Sequence, residues 1–156
     1  MEKIERACAF FGHRNIVVTD SLQEQITKTI IEKIENENFS VFYFGGLGDF
    51  DDLCYKIVTK LKNEYKSIQR IFCLYDSKHI SYNKRPTWLK NEEYEDYIYL
   101  EPTFNGWYKR IFFRNLEIVN LSDFIIFYVE REEDSASHKI LKYAKSKNKS
   151  FINLAR

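Results

Sequence analysis

The 156 residues fit one domain, and a composition that is 44% hydrophobic can bury a core without disulfide or metal staples. A net charge of +1, with 30% of residues charged, argues against a polyanion-coating protein or an acidic tail. No run of about 18 apolar residues is present to cross a membrane. The charged start Met1-Glu2-Lys3-Ile4-Glu5-Arg6 lacks the apolar stretch of a signal peptide, so a cytoplasmic location is expected.

Ala7-Cys8-Ala9-Phe10-Phe11 is a continuous apolar run ending at Gly12, as for a strand buried on both faces. Ser21 and Glu24 stand at capping-box spacing, and Ile26, Ile30, Ile31 and Ile34 continue as a helix that ends near Asn36-Glu37-Asn38. Val41-Phe42-Tyr43-Phe44 is the second strand and runs into Gly45-Gly46. Asp49 and Asp52 then sit where carboxylates suit the start of a helix carrying Leu53, Ile57, Val58 and Leu61. Ile71–Tyr75 is the third strand. The range 77–105 holds both prolines, Trp88 and the run Glu92-Glu93-Tyr94-Glu95-Asp96-Tyr97, and is expected to be an insertion or lid. A helix over 106–121 follows, then a strand at Phe124–Val129. A helix capped by Ser135 or Ser137 and carrying Ile140, Leu141 and Ala144 comes next, and a fifth strand at Phe151–Leu154 closes the chain. This alternation predicts an α/β fold: one Rossmann-like domain over 1–156, with a mainly parallel five-stranded sheet and helices on both faces.

Cys8, Cys54 and Cys73 form no CxxC pair, and His13, His79 and His138 have no HExxH spacing. Buried, unreactive thiols are expected, with no metal and no cofactor.

In an open α/β sheet, ligands bind beyond the carboxyl ends of the strands. The turns after the strands read Gly12-His13-Arg14, Gly45-Gly46-Leu47-Gly48-Asp49, Asp76-Ser77-Lys78 and Glu130 through Ser137. Parallel strands bring them to one edge. Glycines at 45, 46 and 48 allow close backbone approach, and the helix start after them can hold a phosphate. Arg14 offers a bidentate phosphate contact, and Asp49 or Asp51 can accept from ribose hydroxyls. Arg110 and Arg114 share a helix face, with Asn115 beside it. The turns lack GxGxxG, the P-loop GK[ST] and the GxSxG elbow, which weakens dehydrogenase, NTPase and hydrolase readings.

Phe10-Phe11-Gly12-His13-Arg14 resembles the TGHR signature of the SLOG superfamily. Gly45 through Asp51 resembles its G-x-x-G-x-FD turn. Arg114-Asn115, Ser122 through Val129, and Ala144 through Leu154 follow in the same order, closest to the bacterial YspA/YpsA-like members. The resemblance implies a Rossmann-like sheet with a nucleotide-type pocket. Members include the LOG phosphoribohydrolases, sensors of ADP-ribose-like signals and the DNA-binding DprA proteins. Glu130 through Ser137 lacks the PGGxGTxxE turn of the LOG enzymes, and Ser135-Ala136-Ser137 stands where many YspA/YpsA-like chains have Ser-Gly-Gly-Ala.

Three functions follow in order. The first is binding of a nucleotide or ADP-ribose-like molecule, as sensor or sequestering module, through Gly12, His13, Arg14, Gly45, Gly46, Gly48, Asp49, Asp51, Arg114, Asn115, Ser135 and Ser137. The second is cleavage of a nucleotide N-glycosidic bond, with Asp51, Asp76 and Glu130 as candidate carboxylates. The third is single-stranded nucleic-acid binding by the lysines from Lys139 to Lys149, placed last because the net charge is small. The expected partners are therefore a nucleotide-like small molecule and a second copy of the chain in a homodimer or higher oligomer. Neither nucleic acid nor a membrane is expected.

Overall fold

Strand β1 (Arg6–Gly12) takes the centre of the sheet because its residues are apolar on both faces: Cys8 and Phe10 point to one side, Ala9 to the other, and all three are buried. The computed structural model describes residues 5–45, 48–76, 93–100, 106–130 and 135–155, apart from the Trp107 side chain. Beyond β1, it contains α1 (Asp20–Glu37), β2 (Phe39–Phe44), α2 (Asp49–Leu61), β3 (Gln69–Leu74) and β4 (Asp96–Tyr99). These are followed by α3 (Trp107–Leu121), β5 (Phe124–Tyr128), α4 (Ala136–Ser146) and β6 (Ser150–Asn153).

The strands lie in the order β4-β3-β2-β1-β5-β6, and every neighbouring pair is parallel. The chain fills the sheet outward from β1 to β4, then returns to the other side of β1 for β5 and β6. The direction of winding reverses between β1 and β5, which opens a crevice at their carboxyl ends. Helices α1 and α2 cover one face, where Ile26, Ile30, Phe50 and Val58 pack with Phe10, Phe42, Phe44 and Phe72. Helices α3 and α4 cover the other, where Ile118, Val119, Ile140 and Leu141 pack with Ala9, Ile125 and Phe127.

The sheet therefore has six strands among the described residues, not five. The added strand, β4, lies inside the stretch expected to be an insertion or lid, of which 77–92 and 101–105 fall outside the described residues. Its attachment is electrostatic as much as apolar. Arg70, only 5% exposed, donates from Nε to Glu95 Oε1 at 2.9 Å and from Nη2 to Oε2 at 2.7 Å. The Arg70 backbone N–H donates to Glu95 Oε1 at 2.8 Å, and its Nη1 reaches Thr59 Oγ1 at 3.0 Å. Burial works to raise the Glu95 carboxyl, but the hydrogen bonds from Arg70 outweigh it and hold the group below its ordinary value.

Caps differ in detail from the sequence pattern. Helix α1 begins at Asp20 and is capped by Thr19, whose hydroxyl accepts from Leu22 N, so Ser21 lies inside the first turn. Asn38 ends it at φ 59°, and Ser135 rather than Ser137 caps α4. All three cysteines are buried, and burial pushes their thiols up, that of Cys73 to about 12 against the pull of Arg114. No described helix is long and apolar enough to cross a membrane.

Glu95→Gln should remove the charge from the β4 clamp and lower stability by about 1.5–3 kcal/mol in urea unfolding. Because folding lowers the Glu95 pKa, the wild-type advantage is complete above the ordinary carboxylate range and is lost as pH falls through the folded-state value. Melting curves of the two proteins should converge on that acid side.

Candidate functional site

Beyond the carboxyl ends of β1, β2 and β5 lies a pocket of about 290 Å³, walled by the starts of α3 and α4. Its lining includes nine of the expected residues: Gly12, His13, Arg14, Gly45, Asp51 and Arg114, together with Asn115 and the serines at 135 and 137 on the helix walls. Tyr43, Tyr108 and Ile111 add apolar surface. The reversal of winding explains why residues so distant in sequence meet here.

Glycines at this edge make room for particular side chains. A Cβ on Gly12 would lie 2.5 Å from Phe50 Cγ, and one on Gly45 would lie 2.6 Å from Arg114 Nη2. Gly48 has φ +99°, and a Cβ there would lie 2.7 Å from the Arg14 Cα. The last contact brings the turn after β1 against the start of α2. Asp49 N donates to Arg14 O at 2.7 Å, and Asp49 Oδ2 accepts from Ile16 N at 3.2 Å. Asp49 thus ties two loops together and does not line the pocket. Gly46 lies outside the described residues.

Arg114 is 1% exposed. Its Nη1 donates to Gly45 O at 3.2 Å and Cys73 O at 3.1 Å, and Nε and Nη2 donate to Asn115 Oδ1 at 3.2 and 2.9 Å. Burial pulls the guanidinium below its ordinary value, while the charge of Asp51 works to raise it. Arg114 therefore fastens α3 to the ends of β2 and β3 and places a positive charge in the pocket wall. Asp51 Oδ1 accepts from Gly45 N at 3.4 Å.

The other side of the pocket is held by hydroxyl and imidazole. Ser137 Oγ donates to Gly12 O at 2.8 Å, and Ser135 Oγ accepts from His138 N at 3.1 Å. His13 N donates to Tyr128 O at 3.3 Å, while its Nε2 accepts from Glu130 N at 2.8 Å. An accepting Nε2 places the neutral ring's proton on Nδ1. Glu130 accepts from Tyr128 Oη at 2.9 Å, and that bond raises the tyrosine's pKa. Neither Glu130 nor Asp76 lines the pocket.

The electrostatics are uneven. Asp49, Asp51 and Asp52 crowd the first turn of α2, and the Asp49 N–H is already engaged. An anion at that helix start would meet three carboxylates. On the opposite wall, the first turn of α4 carries no acid; the exposed Arg14, whose backbone lies against the start of α2, stands at the rim. Arg14 also borders a second, larger hollow of about 600 Å³ between α3 and α4. The sequence reading missed this hollow, although Tyr108, Phe112 and Leu116 recur at helical spacing along α3. Of the lysines from Lys139 to Lys149, Lys139 borders it, whereas Lys149 Nζ is spent on Asn120 O and Ser122 O at the end of α3.

No protein-family model matches the chain, and no curated protein matches it by sequence. A solved structure of DNA processing protein A from Helicobacter pylori, described by its single-stranded DNA binding mode, superposes with a TM-score of 0.60 at 16% identity. The match covers 94% of this chain and 63% of that one, so the chain spans less than two thirds of the length of this structural relative. The similarity is one of fold. It nevertheless overturns the expectation that disfavours nucleic acid as a partner, since a protein that binds single-stranded DNA is built on this architecture. The physical reason is that net charge averages over the surface, while binding depends on where cations gather.

Gly12→Ala should force the new methyl into the Phe50 ring and lower stability by about 1–3 kcal/mol. Adding Phe50→Leu should recover part of that loss. A double-mutant cycle from urea unfolding would read the coupling, and strict additivity would show that the two positions do not constrain each other.

Proposed function

We propose that the chain binds single-stranded nucleic acid, with one nucleotide seated in the pocket beyond β1, β2 and β5 and its phosphate held by Arg14. The observation that carries this reading is the position of Arg14. It is exposed and borders both hollows, and the first turn of α4, which shares the pocket lining with it, carries no acid. A guanidinium there can take a phosphate in a bidentate pair, while Tyr43 and Ile111 offer apolar surface to a sugar or base. Support comes also from the fold shared with a single-stranded DNA-binding protein. The ordered motifs that resemble the SLOG superfamily support the same edge of the sheet, and a single domain of that type, as the binding unit.

A free mononucleotide is the second reading, favoured by the pocket's size, which lies near the lower end of small-ligand sites. An ADP-ribose-like ligand would have to extend into the α3–α4 hollow. N-glycosidic cleavage has less support. Glycoside chemistry uses a pair of carboxylates, and Asp51 is the one carboxylate among the described lining residues.

The test is fluorescence anisotropy with a labelled oligodeoxythymidylate of about 16 nucleotides, titrated over a range of salt, with AMP and ADP-ribose as competitors. Wild-type protein should bind at low salt. Arg14→Ala should weaken binding about tenfold and flatten the slope of log affinity against log salt by about 0.7, one phosphate contact on a single strand. Competition by AMP with no oligonucleotide binding would establish the second reading instead. An Arg14→Ala protein with wild-type affinity and slope would remove Arg14 from the site.

A further inference from the structure

The hollow between α3 and α4 is about 600 Å³, twice the pocket, and opens into it: Arg14, Tyr108, Ile111, Asn115 and Ala136 border both. Its floor follows one stripe of α3, from Tyr108 through Phe112 to Leu116, about 12 Å at 1.5 Å per residue. Phe112 and Leu116 pack against the core beneath, so the floor is firmly backed. Tyr108 stands at the mouth and is 68% exposed. The rims are cationic. Lys109 lies on the α3 side, Lys139 on the α4 side and Arg14 at the junction, all exposed, and no carboxylate occurs among the described lining residues.

We infer that this groove is a channel for the unstacked bases of the bound strand, with Tyr108 and Phe112 as stacking surfaces and Lys109 and Lys139 tracking the phosphates. The inference rests on the single-stranded reading above and deepens it, because it names which part of the polymer the groove takes. An apolar floor between two cationic rims is complementary to a chain with aromatic bases on one side and phosphates on the other. A duplex has its bases stacked inside and offers the groove nothing but phosphate, so the channel selects single strands. A protein partner for this surface would have to bring carboxylates to both rims and an apolar ridge between them. The continuity of the groove with the pocket favours the nucleic acid, since one strand then occupies both.

The experiment compares oligodeoxythymidylate with an abasic oligonucleotide of equal length and charge, by anisotropy at one salt concentration. Sedimentation velocity of the free protein is run beside it. The thymidylate should bind about tenfold or more tightly than the abasic strand. Tyr108→Ala, at an exposed position that leaves the circular dichroism spectrum unchanged, should remove most of that gap while keeping the salt slope. Lys109→Ala should instead weaken both strands alike. Equal binding of the two strands, still weakened by Arg14→Ala, would overturn the base channel and leave the phosphate reading standing. Failure of both strands to bind would overturn both. A dimer in sedimentation that Tyr108→Asp dissociates, with thymidylate affinity unchanged, would make the groove a contact between copies of the chain and overturn the inference.

Discussion

A cation buried at 1% exposure organises this end of the molecule. Arg114 has left water, and its N–H groups must be satisfied by protein atoms or the desolvation goes uncompensated. They find the terminal carbonyls of β2 and β3 and the neighbouring Asn115 amide. Several features depend on that arrangement. Helix α3 cannot slide along the sheet without breaking it. Glycine at 45 leaves the guanidinium its place, since a Cβ there would lie 2.6 Å from Nη2 and push it off its carbonyl partners. Asn115 is oriented by its bonds to Arg114, and it borders both hollows. The pocket wall is therefore positioned by the requirement to hydrate a charge with protein.

Two smaller links complete the frame. Gly12 makes space for Phe50, which seats α2 against the end of β1, and its carbonyl takes the Ser137 hydroxyl from α4. Helices from opposite faces of the sheet thus meet at one residue. The resulting cleft has an acidic bank on the α2 side and a basic bank on the α3–α4 side, in a chain whose charges nearly cancel. Such a polarity fixes which way round a ligand with one anionic side can lie.

Much of this was legible in the sequence where a single local pattern decides the outcome. Apolar runs located β1, β2, β3, β5 and β6, and several of the turn residues after them line one pocket. The β4 strand was not legible, because its four residues follow an acidic stretch and are held by Glu95 to an arginine on a neighbouring strand. That pairing is invisible without the sheet order. The roles of the site residues were less legible than their places. Asp49 reads as a ribose acceptor or helix cap, yet folds as a tie to Ile16, and Arg114, which reads as a ligand-binding arginine sharing a helix face with Arg110, is buried with its N–H groups turned to backbone carbonyls and Asn115. Burial of a polar side chain depends on tertiary neighbours. The α3–α4 hollow was present in the spacing of Tyr108, Phe112 and Leu116, but a stripe of that kind ordinarily packs as core.

The central strand has a consequence for how the molecule comes into being. β1 is made first, yet one of its two neighbours is β5, with Cys8 opposite Phe124, and the hydroxyl that closes its carboxyl end lies 125 positions downstream. Contacts at such separation carry the loop-closure entropy of most of the chain, so they belong to the slow part of folding. On a translating ribosome, β1 to β3 with α1 and α2 can associate while one flank of β1 remains bare. The pocket at this edge is complete only after α4 has emerged. The cleft is thus assembled late, and a chain interrupted before residue 136 would carry much of the sheet and lack the α4 wall of the pocket.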